Sequence, residues 1–239
     1  MKKQILIAKN IANEGPGLIE EILNKVNVPY SFLDVHDETH FPPIEKLHAL
    51  IVMGGPDSAN DTTKKMLREL AYIREVISAG IPYLGICLGL QTLVKANGGK
   101  VIKSPLKETG VRDPQGNFFT ATITKEGKDD PLFQGITPSF KVFHLHGEMV
   151  ELTPSMKLLA IGNHCRNQIV KIGSNAYGMQ CHLELTQDLF EFWLDEDCDL
   201  QKIPRNSLRK DFEEIYNEYS YTGKRIFENF LKITFNQKL

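Results

Sequence analysis

Apolar and polar residues alternate along the first hundred positions in blocks that predict strands followed by helices. Short, nearly continuous apolar runs predict strands at residues 4–8, 29–35, 48–55 and 83–86. Such runs are typical of parallel strands that are buried on both faces. Apolar residues three and four positions apart predict helices at residues 17–25, 62–79 and 88–97, the last one ended by two glycines. This order predicts a parallel sheet with helices on both faces.

The pattern changes after residue 100, where short apolar segments are separated by Gly, Pro, Asn and Asp. They predict strands at residues 100–104, 117–125, 140–147, 157–162, 167–173 and 176–182. The segment KIGSNAYG predicts a tight hairpin, so this half of the sheet is mixed or antiparallel. From Thr186 onward, helical spacing of apolar residues predicts two or three helices.

These elements predict an α/β fold, in which helices flank a mixed, largely parallel central sheet and a helical tail follows. We expect one main domain at residues 1–189 and a helical extension, packed on the same domain, at residues 190–239. The 239 residues carry a net charge of −2, which does not indicate nucleic acid or a membrane as a partner.

Membrane insertion and secretion are not expected from the sequence. Apolar runs fall short of the roughly 18 residues that a spanning helix needs, and the N-terminal run is too short for a signal peptide. With four cysteines in a chain of this length and no signal peptide, a disulfide framework is not expected. We therefore expect a cytoplasmic protein.

Cys87 stands between a predicted strand and a predicted helix, in the segment Gly85-Ile86-Cys87-Leu88-Gly89. Glycine on either side of a strained residue is typical of a nucleophile elbow, where larger neighbours would clash. A thiol there lies at a helix N-terminus, which favours the thiolate, and the N–H of Leu88 faces a developing oxyanion. The alternative is a buried core cysteine at a tight junction.

A thiol nucleophile needs a base, and His182 with Glu184 is the best candidate pair in the sequence. The two residues are two positions apart near the end of a predicted strand, so their side chains share one face. The carboxylate would then orient the imidazole and stabilise its protonated form. The alternative is a pair of polar residues on an edge strand. A third candidate feature is the turn Gly54-Gly55, whose backbone could approach a substrate closely.

Other clusters of histidine, cysteine and acidic residues fit structural or solvent-exposed roles better than metal binding. His144 and His146 lie two apart on a predicted strand, and segments 34–40 and 195–199 fit surface loops. Cys165 and Cys181 lie near histidines without the Cys-x-x-Cys spacing of a zinc site. We expect neither a metal nor a cofactor.

Taken together, the segments MGGP, GICLGLQ and CHLE resemble the class I (triad) glutamine amidotransferase family in order and spacing. The nearest resemblance is to stand-alone domains related to the glutamine domain of GMP synthase. It implies a flavodoxin-like fold and a triad in which Cys87 attacks the glutamine side-chain amide, His182 transfers protons and Glu184 orients His182. It also implies that the N–H groups of Gly55 and Leu88 form the oxyanion hole.

The same resemblance implies a glutamine pocket. Its predicted residues are Gly54, Gln91, Leu145, His146 and Gly147. The segment HLHGE, residues 144–148, departs from the usual family pattern at two positions. Leu145 stands where a polar residue is usual, and Glu148 replaces Asp.

We expect glutamine hydrolysis that releases ammonia for an acceptor. Either a separate synthase subunit receives the ammonia, or the protein acts alone. The first alternative is a stand-alone γ-glutamyl peptidase or hydrolase with the same triad. The second is a non-catalytic regulatory or binding subunit, which intact residues Cys87, His182 and Glu184 argue against.

Overall fold

The computed structural model describes residues 3–11, 15–36, 38 and 40–236. The strands within these residues are β1 (Gln4–Lys9), β2 (Tyr30–Asp34), β3 (Leu47–Val52), β4 (Tyr83–Ile86), β5 (Lys100–Gly110), β6 (Thr120–Ile123), β7 (Ser139–Lys141), β8 (His144–Glu151), β9 (Lys157–Ile161), β10 (Asn167–Ile172) and β11 (Ala176–Met179). The α-helices are α1 (Leu18–Lys25), α2 (Lys64–Ser78), α3 (Leu88–Ala96), α4 (Lys125–Lys128), α5 (Gln187–Glu196) and α6 (Arg205–Phe235).

Nine strands form the central sheet in the order β2-β1-β3-β4-β11-β10-β9-β6-β7. The first five are mutually parallel and the remaining four continue the sheet in antiparallel pairs, which confirms the predicted mixed architecture. Strand β4 lies between β3 and β11, and all three run in the same direction. The loops that follow these three strands therefore meet at one edge of the sheet, where α/β proteins bind their ligands.

The helices cover both faces of the sheet because each presents an apolar stripe to it. On α2 the buried stripe is formed by Met66, Leu70, Ile73 and Val76, and Thr63 caps the helix by accepting from the Met66 N–H at 3.2 Å. Apolar residues of α2 and α3 pack on one face of the sheet, and those of α1, α5 and α6 belong to the core on the other.

A second, two-stranded sheet of β5 and β8 was not expected from the sequence. Strand β5 extends to Gly110, past Pro105 and the predicted end at residue 104, because a register shift between Lys103 and Glu108 accommodates the proline. The predicted strand at 140–147 is wrong as a single element. Its first part is β7 in the central sheet, and its second part is β8 in the small sheet.

The predicted strand at 176–182 is also too long, because β11 ends at Met179. His182 follows in irregular backbone and is held by an isolated antiparallel bridge to Phe143. The predicted hairpin is confirmed, since β10 and β11 pair with Ile172 opposite Ala176. The helix stop after α3 is confirmed as well, with Gly98 at φ +87°.

The helical tail consists of α5 and one long helix, α6, of 31 residues. A helix of this length spans about 46 Å, so its apolar side chains reach much of one sheet face. Phe212, Ile215, Tyr219, Ile226 and Phe230 of α6 are all buried in that core. The domain boundary at residue 189 stays a prediction. In the described ranges, every helix is too short or too polar to span a bilayer.

Candidate active site

The structure places Cys87 at the junction of β4 and α3 in a strained backbone conformation. Its φ of +52° and ψ of −104° lie outside the regions that L-residues normally adopt. The flanking glycines permit this turn, because a Cβ on Gly85 would overlap the Gly89 carbonyl and a Cβ on Gly89 would overlap the Val52 carbonyl. The elbow is therefore packed tightly against both its own helix and the neighbouring strand β3.

The thiol of Cys87 has two close polar neighbours. Its Sγ lies 3.8 Å from the Leu145 carbonyl oxygen and 3.7 Å from Nε2 of Gln180. The backbone N–H of Cys87 donates to the Met179 carbonyl at 2.7 Å, which ties the elbow to the end of β11. Sequence reasoning missed Gln180. The available signal was a lone amide side chain in the otherwise apolar run before Cys181.

His182 and Glu184 form a close, buried pair. Nδ1 of His182 lies 2.6 Å from Oε1 of Glu184, and the second carboxylate oxygen accepts from the Leu183 N–H at 2.9 Å. With both oxygens occupied, the carboxylate has one orientation and holds the imidazole in one tautomer, with the proton on Nδ1. The opposite nitrogen, Nε2, is buried and has no hydrogen-bond partner among the residues that the structure describes. It is free to exchange a proton with a bound molecule.

Burial of His182 acts to lower its pKa, but the neighbouring Glu184 carboxylate and Cys87 outweigh burial and raise the pKa well above its usual value. The imidazolium is thus the favoured form at neutral pH. Burial raises the pKa of Cys165 to about 12 and also raises that of Cys181. Both remain neutral thiols of the core.

The loop after β3 approaches the elbow from the other side. A Cβ built on Gly55 would lie 3.4 Å from Cδ2 of Leu88, so the two predicted oxyanion-hole residues are neighbours. Leu88 is the first residue of α3, and the first N–H groups of a helix have no partner within it. Gly54 belongs to this loop and is buried. The positive end of the α3 helix dipole thus lies beside the thiol.

A cavity of about 420 Å³ opens beside the thiol. It is lined by Ile11, Gly55, Pro56, Asp57, Ser58, Cys87, Gln91, Lys107, Leu145, His146, Gly147, Glu148, His182, Asp197, Cys198 and Asp199. Most of the predicted site residues therefore share one cavity. Gly54, Leu88 and Glu184 are buried behind its wall, and Glu184 acts on it through His182.

Gln91 connects the elbow helix to the opposite wall of the cavity. Its Nε2 donates to the Glu148 carbonyl at 3.2 Å and lies 3.4 Å from Oε1 of Gln180. The Glu148 carboxylate is tied to the loop after β3, because it accepts from the Ser58 hydroxyl at 3.1 Å. These contacts hold α3, β8 and the Gly55 loop around one space.

Among the described residues, one group of three side chains has metal-ligand spacing: Glu108, His144 and His146. Nε2 of His146 lies 3.0 Å from Glu108 and 3.2 Å from His144, while its Nδ1 lies 3.0 Å from the Glu148 carbonyl. Nε2 of His146 hydrogen-bonds with Nδ1 of His144, while the Glu108 carboxylate lies at ion-pair distance from the same nitrogen. Because the three side chains contact one another, the arrangement favours a structural cluster over a metal site.

The neighbouring imidazole of His144 is neutral. Burial lowers its pKa well below the usual value, and Coulombic interaction with neighbouring histidines, His146 first, lowers it further. The structural roles of His144 and His146 stay a prediction. Of the predicted surface loop at 34–40, Asp37 and Thr39 lie outside the described residues.

Comparison with known proteins gives consistent matches. A family model described as glutamine amidotransferase class-I matches residues 18–194. The glutamine amidotransferase-like protein YfeJ of Salmonella typhimurium is 33% identical over 155 residues, which are 63% of this chain and 62% of that protein. A glutamine-hydrolysing GMP synthase of Thermosipho africanus is 35% identical over 176 residues, which are 71% of this chain and 31% of that protein.

A gamma-glutamyl-L-1-hydroxyisopropylamide hydrolase of a Pseudomonas species is 26% identical over 148 residues, 60% of this chain and 49% of that protein. Among solved structures, a glutamine amido transferase from Methylobacillus flagellatus superposes with a TM-score of 0.83 at 25% identity. That alignment covers 98% of this chain and 96% of the other. The chain spans between 31% and 62% of the length of the first two curated relatives.

Proposed function

The chain belongs to the class-I glutamine amidotransferase family, and we propose that it hydrolyses the side-chain amide of glutamine and releases ammonia for transfer to an acceptor. One observation carries the proposal. Cys87 lies on a strained elbow and lines the same cavity as His182, whose ring is held by Glu184 at 2.6 Å. A nucleophile, a base and a residue that orients the base are thus arranged at one cavity.

In the first half of the reaction, the Cys87 thiolate attacks the side-chain carbonyl carbon of glutamine. A sulfur–carbon bond forms, and the carbonyl electron pair moves to oxygen, where the N–H groups of Gly55 and Leu88 stabilise the negative charge. The His182 imidazolium gives its Nε2 proton to the amide nitrogen. The carbon–nitrogen bond then breaks, ammonia leaves and a γ-glutamyl thioester remains on Cys87.

In the second half, water attacks the thioester and neutral His182 takes its proton at Nε2. The carbon–sulfur bond breaks, so that glutamate leaves and the Cys87 thiolate with the His182 imidazolium is regenerated. Glu184 stabilises the imidazolium in both halves. It accepts from Nδ1 and does not itself take a proton, in keeping with the raised pKa of His182.

A separate synthase subunit is the proposed destination of the ammonia. The proposal is supported by similarity to a glutamine-hydrolysing GMP synthase of Thermosipho africanus. Addition of the cognate synthase would increase glutamine turnover and couple it to consumption of ammonia. A tight complex, measured by co-purification of the two full chains, is the accompanying test.

A second candidate function is hydrolysis of γ-glutamyl amides other than glutamine with the same residues. Two observations favour it. The curated hydrolase described above is a relative, and the cavity extends beyond the thiol to the loop that carries Asp197 and Cys198. The cavity thus offers space beyond the thiol for a substrate larger than glutamine.

The experiment that tests both candidates is glutamate release from glutamine and from a panel of γ-glutamyl amides and dipeptides. Cys87→Ala should lower turnover by at least about 10⁴-fold. Cys198→Ser is the matched control, because it removes an exposed thiol of the same cavity wall. Faster turnover of the larger amides supports the hydrolase. Turnover that survives Cys87→Ala contradicts both candidates.

A further inference from the structure

Lys107 occupies a defined place on the cavity wall, on strand β5 of the small sheet. Glu108 pairs with His146 across the two strands, which places Lys107 beside Gly147. A Cβ built on Gly147 would lie 3.9 Å from Cγ of Lys107. The aliphatic stem of the lysine therefore packs along the backbone of β8, and its ammonium group is ion-paired with Asp199, another residue that lines the cavity.

The spacing of residues along β8 is compatible with a γ-glutamyl group that reaches from Cys87 toward Lys107. The Leu145 carbonyl is 3.8 Å from Sγ of Cys87, and Gly147 lies two residues further along β8. Two strand residues advance about 6.8 Å. The carbon chain from a glutamine amide to its α-carboxylate spans roughly 5 Å when extended. A substrate bound to Cys87 and laid along β8 brings its amino-acid end to Lys107.

The charges of the cavity wall give Lys107 a distinct role. It is the sole lysine or arginine among the described residues that line the cavity, whereas four lining residues are acidic: Asp57, Glu148, Asp197 and Asp199. The α-ammonium group of a γ-glutamyl substrate suits these carboxylates. Its α-carboxylate would be repelled by them and needs a cation.

The ion pair between Lys107 and Asp199 can break without leaving the Asp199 carboxylate unpaired. Lys107 is ion-paired with Oδ2 of Asp199, while Oδ1 of Asp199 accepts from Lys202 at 2.8 Å. Lys107 and Lys202 together hold the pKa of Asp199 below its usual value. Because Lys202 lies outside the cavity wall, it continues to neutralise Asp199 when Lys107 turns to another anion.

We propose that Lys107 binds the α-carboxylate of the γ-glutamyl substrate by exchanging Asp199 for it. This inference rests on the proposed function of the site. It makes Lys107 a specificity-determining residue that distinguishes γ-glutamyl amino acids from amides that lack the α-carboxylate. Lys107 takes no part in the chemical steps at Cys87.

The test compares glutamine with two truncated amides. Glutaramate keeps the carboxylate and lacks the α-amino group, and 4-aminobutanamide keeps the amino group and lacks the carboxylate. For Lys107→Met we expect kcat/KM to fall about 10- to 100-fold on glutamine and glutaramate, through KM, because one charge-assisted contact is lost. With 4-aminobutanamide, kcat/KM should stay unchanged. Lys107→Arg should restore most of the loss.

Lys100→Met is the matched control, because it removes a cation of the same strand that is paired with Glu151 and does not line the cavity. It should leave KM for glutamine within a few-fold of the wild type. Equal losses on all three amides for Lys107→Met would overturn the inference, since they would indicate a general effect on β8. An unchanged KM for glutamine would also overturn it.

A second measurement separates this inference from the proposed function. The diazoketone analogue of glutamine keeps both α-groups and alkylates a thiol without needing turnover. Saturable labelling of Cys87 that shifts about 10-fold to higher concentration in Lys107→Met supports the role of Lys107 even if glutamine is not hydrolysed. Absent glutamate release with such a shift refutes the proposed function alone. Labelling that is identical in both proteins refutes the inference.

Discussion

Replacement of Glu184 by glutamine perturbs the site through one carboxylate and keeps its shape. In the wild type, Oε1 of Glu184 lies 2.6 Å from Nδ1 of His182 and Oε2 accepts from the Leu183 N–H at 2.9 Å. Both partners are donors, whereas the new amide has one acceptor oxygen and one donor NH₂ group. Either His182 or Leu183 must then face a donor.

The magnitude follows from two losses in a fully buried setting. A hydrogen bond to a charged group contributes about 1.5–3 kcal/mol, and an unsatisfied buried donor costs about 1–3 kcal/mol. Glu184 is 0% exposed, so water cannot replace the lost partner. When His182 is the residue that faces the donor, both losses destabilise its imidazolium in the transition state. Their sum of roughly 3–6 kcal/mol raises the activation free energy and lowers kcat by about 10²- to 10⁴-fold.

The pH dependence gives the sign of the effect independently of its size. Burial lowers the pKa of His182 and Glu184 is the first of the groups that raise it, so removal of the charge lets burial dominate. The imidazolium then loses its proton at a lower pH. In Glu184→Gln the alkaline limb of the kcat/KM profile for glutamine should move toward lower pH than in the wild type.

Glu69→Gln provides the matched control, because it makes the same change at another buried carboxyl. Glu69 lies behind the loop after β3 and accepts from Asn10 at 3.1 Å, a bond that glutamine can keep. This control should retain kcat within a few-fold of the wild type. If Glu184→Gln behaved like the control, with an unmoved alkaline limb, the proposed role of Glu184 would be refuted.

Three further predictions concern stability. Gly89→Ala places a Cβ against the Val52 carbonyl and should lower the free energy of unfolding by about 3 kcal/mol. Calorimetry should then show a fall in Tm of roughly 6–12 °C, whereas an unchanged Tm would show that the elbow can relax. Burial raises the pKa of Glu69 from 4.5 to about 7. The contribution of Glu69 to the free energy of unfolding should therefore be fully present below pH 4.5, and on the order of 3 kcal/mol should be lost as the pH rises through 7. Urea titrations across this range should show no such fall in Glu69→Gln. In the wild type the buried Leu185 N–H donates to the phenol oxygen of Tyr219 at 3.1 Å. Tyr219→Phe removes this acceptor and should lower the free energy of unfolding in urea by about 1–2 kcal/mol. An unchanged urea midpoint would contradict this prediction.

The parallel half of the fold could be predicted because its signals are local. Buried parallel strands give continuous apolar runs, and helices α2 and α3 show apolar spacing along a single face. The small sheet of β5 and β8 could not be predicted in this way. Its strands are separated by more than thirty residues and interrupted by Pro105, so pairing depends on contacts that no local pattern encodes.

The residues of the candidate site also differ in how much local signal they carry in the sequence. Cys87 carries its own signal in the flanking glycines, and His182 with Glu184 carries one in their spacing. Gln180 contacts the thiol and Lys107 lines the cavity only through tertiary pairing, so neither stands out in the sequence. The sequence predicted that His182 lies beside Glu184, and the two side chains are in contact. The predicted cause, alternation along a strand, is wrong, because His182 lies beyond the end of β11 rather than on it.

The position of His182 beyond β11 indicates how the fold maintains the strain at Cys87. The Cys87 N–H donates to Met179, and His182 is bridged to Phe143, whose ring packs against Trp193 of α5. The elbow and the imidazole are thus fixed by different elements that meet only when the sheet is complete. A backbone conformation that costs about 1–3 kcal/mol persists where several surrounding contacts determine it together. Changes at Trp193 should therefore alter the orientation of His182 before they alter the elbow.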